Sequence, residues 1–367
     1  MQLESPIRRD TGVPVHKLIR ERVLSAIETG SLVPGDRLPG EPDWADALGV
    51  SRMTLNKAIL SLVRDGWLER VRGSGTFVSN PSSKRRLAIA VLIKEEIRAA
   101  MDDHYFGTMY FSIADQAEKL GFSTELLRVQ SLLSDPERME WYDGFIVVNP
   151  NAELLRSLGH LKNLVVLGSN WPGLGVSCID SDNIQGAALA VQHLSSLGHK
   201  NILFVGGCPG DSNSQDRLRG FYLGADLAGV ELAREVPWTP IALRLGPEAE
   251  ASLREILQSE NRPTAILAGG PHLAMCVLGV ATELGLEVPK DLSIVTFDDP
   301  AFLTTSSVKF TTIVQPMQEM SVMALEELIR LSKNPLAAPT SHIQKAHLIL
   351  RQSTAAPFSS QRRKENI

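Results

Sequence analysis

The chain has 367 residues, 43% of them apolar and 22% charged, with a net charge of −5. This is the composition of an ordinary soluble globular protein, and the length exceeds what one core usually supports, so two or three compact units are expected. Cys178, Cys208 and Cys276 lie far apart with no C-x-x-C spacing, which argues against a zinc cluster or a disulfide framework and suits a reducing cytoplasm.

The opening MQLESPIRRDTG lacks the apolar stretch of a signal peptide, and no run approaches the roughly 18 apolar residues of a membrane helix, so a cytoplasmic protein with no membrane partner is expected. Charge is unevenly spread. Residues 1–86 hold fourteen Lys/Arg against ten Asp/Glu, a net of +4, and the remainder carries −9. Only the small basic head could approach a polyanion without repulsion.

In chain order, VHKLIRERVLSAIET places Val15, Leu18, Ile19, Val23, Ala26 and Ile27 at helical spacing, with Gly30 at the end. A turn leads to a second helical stretch, EPDWADAL, closed by Gly49. Ser51 is then a good N-cap for a third helix, with Val50 and Leu55 spaced as a hydrophobic staple. Leu55, Ala58, Ile59 and Leu62 share the face that must pack inward. Met53, Lys57 and Arg64 lie opposite, flanked by Arg52 and Asn56. After Gly66, the β-like runs WLERV and TFVSN are joined by Arg72-Gly73-Ser74-Gly75. Three helices and a hairpin form the layout of a winged helix-turn-helix over residues 1–79, and the polar NPSSKRR that follows reads as a linker, 80–86.

From Leu87 the pattern changes. LAIAVLI, GFIVV, LVVLG, ILFVGG, AILAG and LSIVTF alternate with amphipathic stretches such as YFGTMYFSIADQAEKLG, NIQGAALAVQHLSSLG, RLRGFYLGADLAGV and HLAMCVLGVATELG. Alternating Val/Ile-rich runs and helices indicate parallel sheets covered on both faces, and residues 87–356 suffice for two doubly wound lobes with a cleft between them. The last residues, 357–367, lack a hydrophobic pattern and are expected to be disordered.

A helix N-terminus in the major groove can offer side chains to base edges: Arg52 in two-point fashion to guanine, Asn56 to adenine, with apolar or hydroxyl contacts from Met53 and Thr54. The segment PGDRLPGEPDWADALGVSRMTLNKAILSLVRDGWLERVRGSGTFV resembles the GntR family of winged-helix transcription regulators. That resemblance implies DNA contact by Ser51, Arg52, Met53, Thr54 and Asn56, with Arg37, Lys57 and the wing tip Gly73, Ser74 and Gly75 beside them. Many members have Arg where this chain has Pro42 and Asn56, so a different operator is expected.

The body resembles the LacI/GalR regulators and the periplasmic sugar-binding proteins, through DNIQGAALAVQHLSSLGHKNILFVGG, SQDRLRGFYLGADLAGV, LGLEVPKDLSIVTFDDP, TTIVQPMQEM and LILRQST among other pieces. A GntR-type head on such a body is the organisation of the arabinose-repressor group. The resemblance implies an effector, expected to be a small sugar, held in the cleft by Arg217 and Asp298, with Phe106, Ser169, Trp171 and His272 as candidate lining residues. A guanidinium fork and a carboxylate together satisfy vicinal hydroxyls. Two polar anchors of the family are missing, since Ser169 replaces an Asp and Gly270-Pro271 an Asn-Asp.

Enzyme chemistry finds little support. Gly73-Ser74-Gly75 lacks the third glycine and downstream acid of a dinucleotide fingerprint, GGCPGDS has no P-loop Lys, and neither G-x-S-x-G nor H-E-x-x-H occurs. His193 and His199 are expected to be solvated or capping. No catalytic residue, cofactor or metal is assigned. The expectation is a homodimeric, ligand-responsive transcription regulator that binds a double-stranded operator and is released by a sugar-like metabolite. The alternative is a sugar-binding or sugar-processing protein whose head is vestigial.

Overall fold

The structure, a computed structural model, describes residues 5–7, 13–71, 73–79, 88–94, 104–206, 210–237, 245–304, 306–334 and 336–357. The expected linker 80–86 and, beyond Pro357, the expected disordered tail lie outside them. The chain divides into two compact units, residues 1–90 with 114–125 and 131–143, and residues 91–113 with 126–130 and 144–367.

In the first unit, helices α1 (Val15–Glu28), α2 (Glu41–Leu48) and α3 (Arg52–Arg64) precede strands β1 (Leu68–Val71) and β2 (Gly75–Val78). The N-cap of α3 forms as its sequence requires: Ser51 Oγ accepts the Thr54 amide at 3.1 Å. Gly49 closes α2 with φ 68°, a left-handed value that glycine adopts without Cβ strain. Leu55, Ala58, Ile59 and Leu62 face a core of Ile19, Val23, Trp44, Leu48, Leu68 and Val78, all at most 2% exposed. The hairpin is antiparallel, pairing Leu68 with Val78 and Val71 with Gly75; each strand is one residue shorter than its β-like run, and the second begins one residue earlier, at Gly75.

In the body, one six-stranded sheet has the order β13-β7-β6-β5-β3-β4, made of β3 (Ala88–Ile93), β4 (Ser123–Arg128), β5 (Gly144–Val148), β6 (Leu164–Leu167), β7 (Ser177–Ser181) and β13 (Ser341–Gln344). The other has the order β14-β12-β11-β10-β8-β9, made of β8 (Asn201–Gly206), β9 (Leu232–Pro237), β10 (Ala265–Ala268), β11 (Ser293–Phe297), β12 (Thr311–Val314) and β14 (His347–Ile349). Its β8, β9, β10, β11 and β12 pair in parallel, and β14 runs antiparallel to β12. Strands β3, β5, β6, β10 and β11 are wholly buried, as near-continuous Val/Ile runs covered on both faces must be.

The chain passes from one sheet to the other in three places. Asp182 leads from β7 into helix α7 (Asn183–Ser196), Gln315-Pro316 lead from β12 into helix α12 (Met317–Lys333), and Lys345-Ala346 join β13 to β14. The first and third crossovers are bonded, the Asp182 amide donating to Gln344 O at 2.6 Å.

Helix α7 lies tightly against α8 (Ser212–Leu227), where Gly220 and Gly224 let the backbones approach at Ile184 and Ala188. His193 and His199 correct the expectation of solvated or capping rings. His199 is 2% exposed, and its ring meets Thr264 Oγ1 at 2.8 Å, Ser293 Oγ at 3.0 Å and Ala355 O at 2.8 Å. The His193 ring meets Thr354 Oγ1 at 3.0 Å. His199 ties the segment after β14 to β11 and His193 ties it to α7, and burial pushes both imidazoles below their ordinary pKa.

Candidate functional site

Helix α3 presents Arg52 and Met53 to solvent at its first turn, with Met53 80% exposed, while its opposite face is locked in the core. Thr54 is half-buried, its hydroxyl 2.7 Å from Ser51 Oγ, so the cap orders the side chains that open the helix. Asn56 is engaged by the hairpin: Arg70 Nη2 on β1 donates to Asn56 Oδ1 at 2.9 Å and also reaches Glu41 Oε1 on α2. Arg70 thus orients the face of α3, a role its position in WLERV did not announce. Lys57 is ion-paired with Glu137 of the same unit. Gly73 (φ 78°) and Gly75 (φ 123°) form the tip with Ser74. The Arg37 side chain lies beside it, where a Cβ on Gly75 would stand 3.0 Å from Arg37 Nε, and Arg37 itself bridges to Phe77.

In the second unit Arg217 on α8 and Asp298, just past β11, are 7% and 5% exposed. Arg217 Cζ stands 4.1 Å from the centroid of the Phe297 ring, the residue next to Asp298. Its Nε donates to Asn183 Oδ1 at 2.8 Å and its Nη1 to Gly269 O at 2.6 Å. Asp298 Oδ1 accepts Gln315 Nε2 at 2.7 Å, and its carbonyl accepts the Thr312 hydroxyl at 2.6 Å. Asp298 has φ 64°, a conformation that Asp tolerates better than most residues and that marks a specially held position.

The first sheet repeats that device. Asn149, just past β5, has φ 45°, and its Oδ1 is buried with no hydrogen-bond partner among the described residues. Beside it, Trp171 Nε1 donates to Pro150 O at 3.0 Å and to Ser169 Oγ at 3.2 Å, so two expected lining residues form one internally bonded cluster past β6. A side chain at Gly168 would meet the Tyr105 hydroxyl. Phe106 is 6% exposed and stacks on Tyr110 at 6.2 Å, and the His272 ring lies 5.2 Å from Phe302. Asn149, Asn183 and Gln315 escaped notice. Asn149-Pro150 directly after an apolar strand was the available signal for the first, because ligands of α/β folds gather beyond strand C-termini.

Asp180, on β7, is 1% exposed. Burial pushes its carboxyl up to about 7; the Ser181 amide and the Arg217 charge pull it back, and the Asp216 and Asp182 charges add to the rise. Among the described residues no group of three or more His, Cys, Asp or Glu is placed to hold a metal ion, and no helix is long and apolar enough to cross a membrane.

Comparison with known proteins agrees with this architecture. Residues 16–78 match the family model for bacterial regulatory proteins of the gntR family, and residues 191–354 the model for the periplasmic binding protein-like domain. An arabinose metabolism transcriptional repressor of Geobacillus stearothermophilus is 30% identical over 366 residues, covering 94% of this chain and 99% of that protein. A repressor of the same description from Halalkalibacterium halodurans is 27% identical over 374 residues, covering 93% and 96%. The crystal structure of a LacI family transcriptional regulator from Enterococcus faecium, with bound ribose, is similar with a TM-score of 0.62 at 23% identity, over 73% of this chain and 99% of that one. At that identity the likeness is one of fold. With a full-length relative at 30% identity and both halves matched, the chain belongs to the family of transcriptional repressors that join a GntR-type DNA-binding head to a periplasmic-binding-protein-like body, the family of the arabinose metabolism repressors.

Proposed function

We propose that the head, residues 1–79, reads operator DNA as one half of a cytoplasmic homodimer, and that a small sugar held by Arg217 and Asp298 in the body, residues 87–356, releases it. The observation that carries this reading is that Arg217, on α8, and Asp298, just past the end of β11, are both buried charges, each already oriented by a neutral partner. A guanidinium and a carboxylate can together satisfy vicinal hydroxyls, whose burial without partners would be costly. In the head, capped α3 carries Arg52 beside an exposed Met53, a combination suited to a guanine edge and a thymine methyl. Ser51, Thr54, Asn56, Lys57, Arg37 and the tip Gly73 to Gly75 complete the proposed DNA surface. Asn149, Ser169 and Trp171 are the proposed lining of the facing sheet. We read the chain as non-catalytic.

The test begins with selecting an operator from random duplexes with the full-length protein, then titrating L-arabinose and other pentoses and hexoses into the complex. Sugar is expected to weaken operator binding, and the operator must weaken sugar binding by the same factor. If no sugar changes either operator affinity or thermal midpoint, the sugar effector is wrong. Arg52→Ala is expected to cost about 1–3 kcal/mol and to relax preference at one base pair. A uniform loss at every sequence would make Arg52 a phosphate contact only.

A further inference from the structure

Both proposed effector anchors lead by hydrogen bonds to one residue. Gln315 receives the Ser181 hydroxyl on its Oε1 and gives its Nε2 to Asp298 Oδ1 at 2.7 Å. Asn183 gives its Nδ2 to Ser181 O at 3.2 Å and receives Arg217 Nε on its Oδ1 at 2.8 Å. Ser181, Asn183 and Gln315 are each at most 3% exposed. All three stand where the chain crosses between the sheets: Ser181 ends β7, Asn183 opens α7 after Asp182, and Gln315 follows β12. The Asp182 amide, bonded to Gln344 O, adds the third crossover.

We infer that Ser181 and Gln315 are positioning residues that couple Asp298, and through Asn183 also Arg217, to the crossovers on which the two sheets turn. This rests on the reading that Arg217 and Asp298 hold the effector. The chemistry is specific. A primary amide has one accepting and one donating end, so Gln315 can receive a hydroxyl and serve a carboxylate simultaneously. A buried network in which each member is satisfied holds one geometry, because any other leaves a polar group without a partner. An effector oxygen that moves Asp298 therefore moves Gln315 and the link between the first two crossovers. Ser181 and Gln315 are 134 residues apart in sequence, so the coupling is tertiary.

Hydrogen–deuterium exchange on the ligand-free full chain tests this. The reporters are the Asp182 amide, bonded to Gln344 O, and the Asp298 amide, bonded to Ile313 O at 2.8 Å. Ser181→Ala is expected to raise exchange at Asp298 about tenfold, and Gln315→Leu to do the same at Asp182. Ser181→Thr, which keeps the hydroxyl, should restore protection at both. Reciprocal loosening of the distant segment is what a locally structural role would not produce; if each variant loosens only its own segment, or all variants loosen the whole unit equally, the coupling is overturned. The same proteins are heated with L-arabinose and D-ribose as probes. Where either stabilises the wild type, Ser181→Ala must show a smaller shift, and an unchanged shift overturns the coupling. A wild type that responds to neither probe counts against the sugar reading, and the exchange result still decides the coupling.

Discussion

Gly220→Ala is expected to destabilise the second unit by about 3 kcal/mol, the upper end of what overpacking a close contact costs. A Cβ there would stand 2.2 Å from Ile184 O and 2.8 Å from its C and Cα. The obstruction is the backbone of α7, which has no rotamer to change, so α7 and α8 must part. Alanine's better helix propensity returns only about 1 kcal/mol. The damage should extend to function. Arg217 precedes Gly220 on α8 by three residues, and its partner Asn183 precedes Ile184, so parting the helices pulls the Nε–Oδ1 bond. Gly279→Ala is the matching control: this exposed glycine, inside helix Pro271–Glu283, has open space around it, and its replacement should stabilise by about 0.5–1 kcal/mol. Urea unfolding of the two variants measures both. A neutral Gly220→Ala would mean that the helices have slack.

Asp180→Asn is expected to stabilise the chain increasingly as pH rises. In the folded chain burial raises the carboxyl from 3.8 to about 7, against the pull of Arg217 and with the push of Asp216 and Asp182. Between those values the folded state holds a proton that the unfolded state has released, so stability is undiminished below the unfolded pKa and is lost as pH rises toward 7. Three units correspond to about 4 kcal/mol. Asparagine cannot ionise and keeps an oxygen for the Ser181 amide. Its advantage should be small at pH 4 and approach about 4 kcal/mol by pH 8. Taking the difference between the two pH values removes any pH-independent effect of the substitution. Denaturant unfolding of both proteins at these pH values provides the check, and a parallel pH dependence would mean that Asp180 is already charged in the fold.

The head was legible because its rules are local. Ser51 as cap, Gly49 and Gly66 as stops, and the inward face of Leu55, Ala58, Ile59 and Leu62 each follow from spacing within one or two helical turns. The orientation of Asn56 was not legible, because its partner Arg70 stands fourteen residues away on a different element. In the body, the runs that became β3, β5, β6, β8, β10 and β11 announce themselves by continuous apolar residues. Strand β7, SCIDS, and strand β13, SHIQ, do not: polar residues interrupt both, and their pairing supplies the backbone bonds that their composition does not advertise. Those two strands lead directly into two of the three crossovers.

By itself the sequence determined the fold class, the capped helix α3 and the family, since periodicity, caps and a contiguous motif are properties of short stretches that survive without knowledge of neighbours. It also marked Arg217 and Asp298, though only by resemblance. Only the tertiary structure decided what those two charges touch. Asn183 and Gly269 on one, Gln315 and Thr312 on the other, and Ser181 linking Asn183 and Gln315 are brought together from separate parts of the chain. A buried charge keeps its direction only if its partners are fixed, and here those partners are assembled by the sheets and their crossovers, which no local pattern specifies.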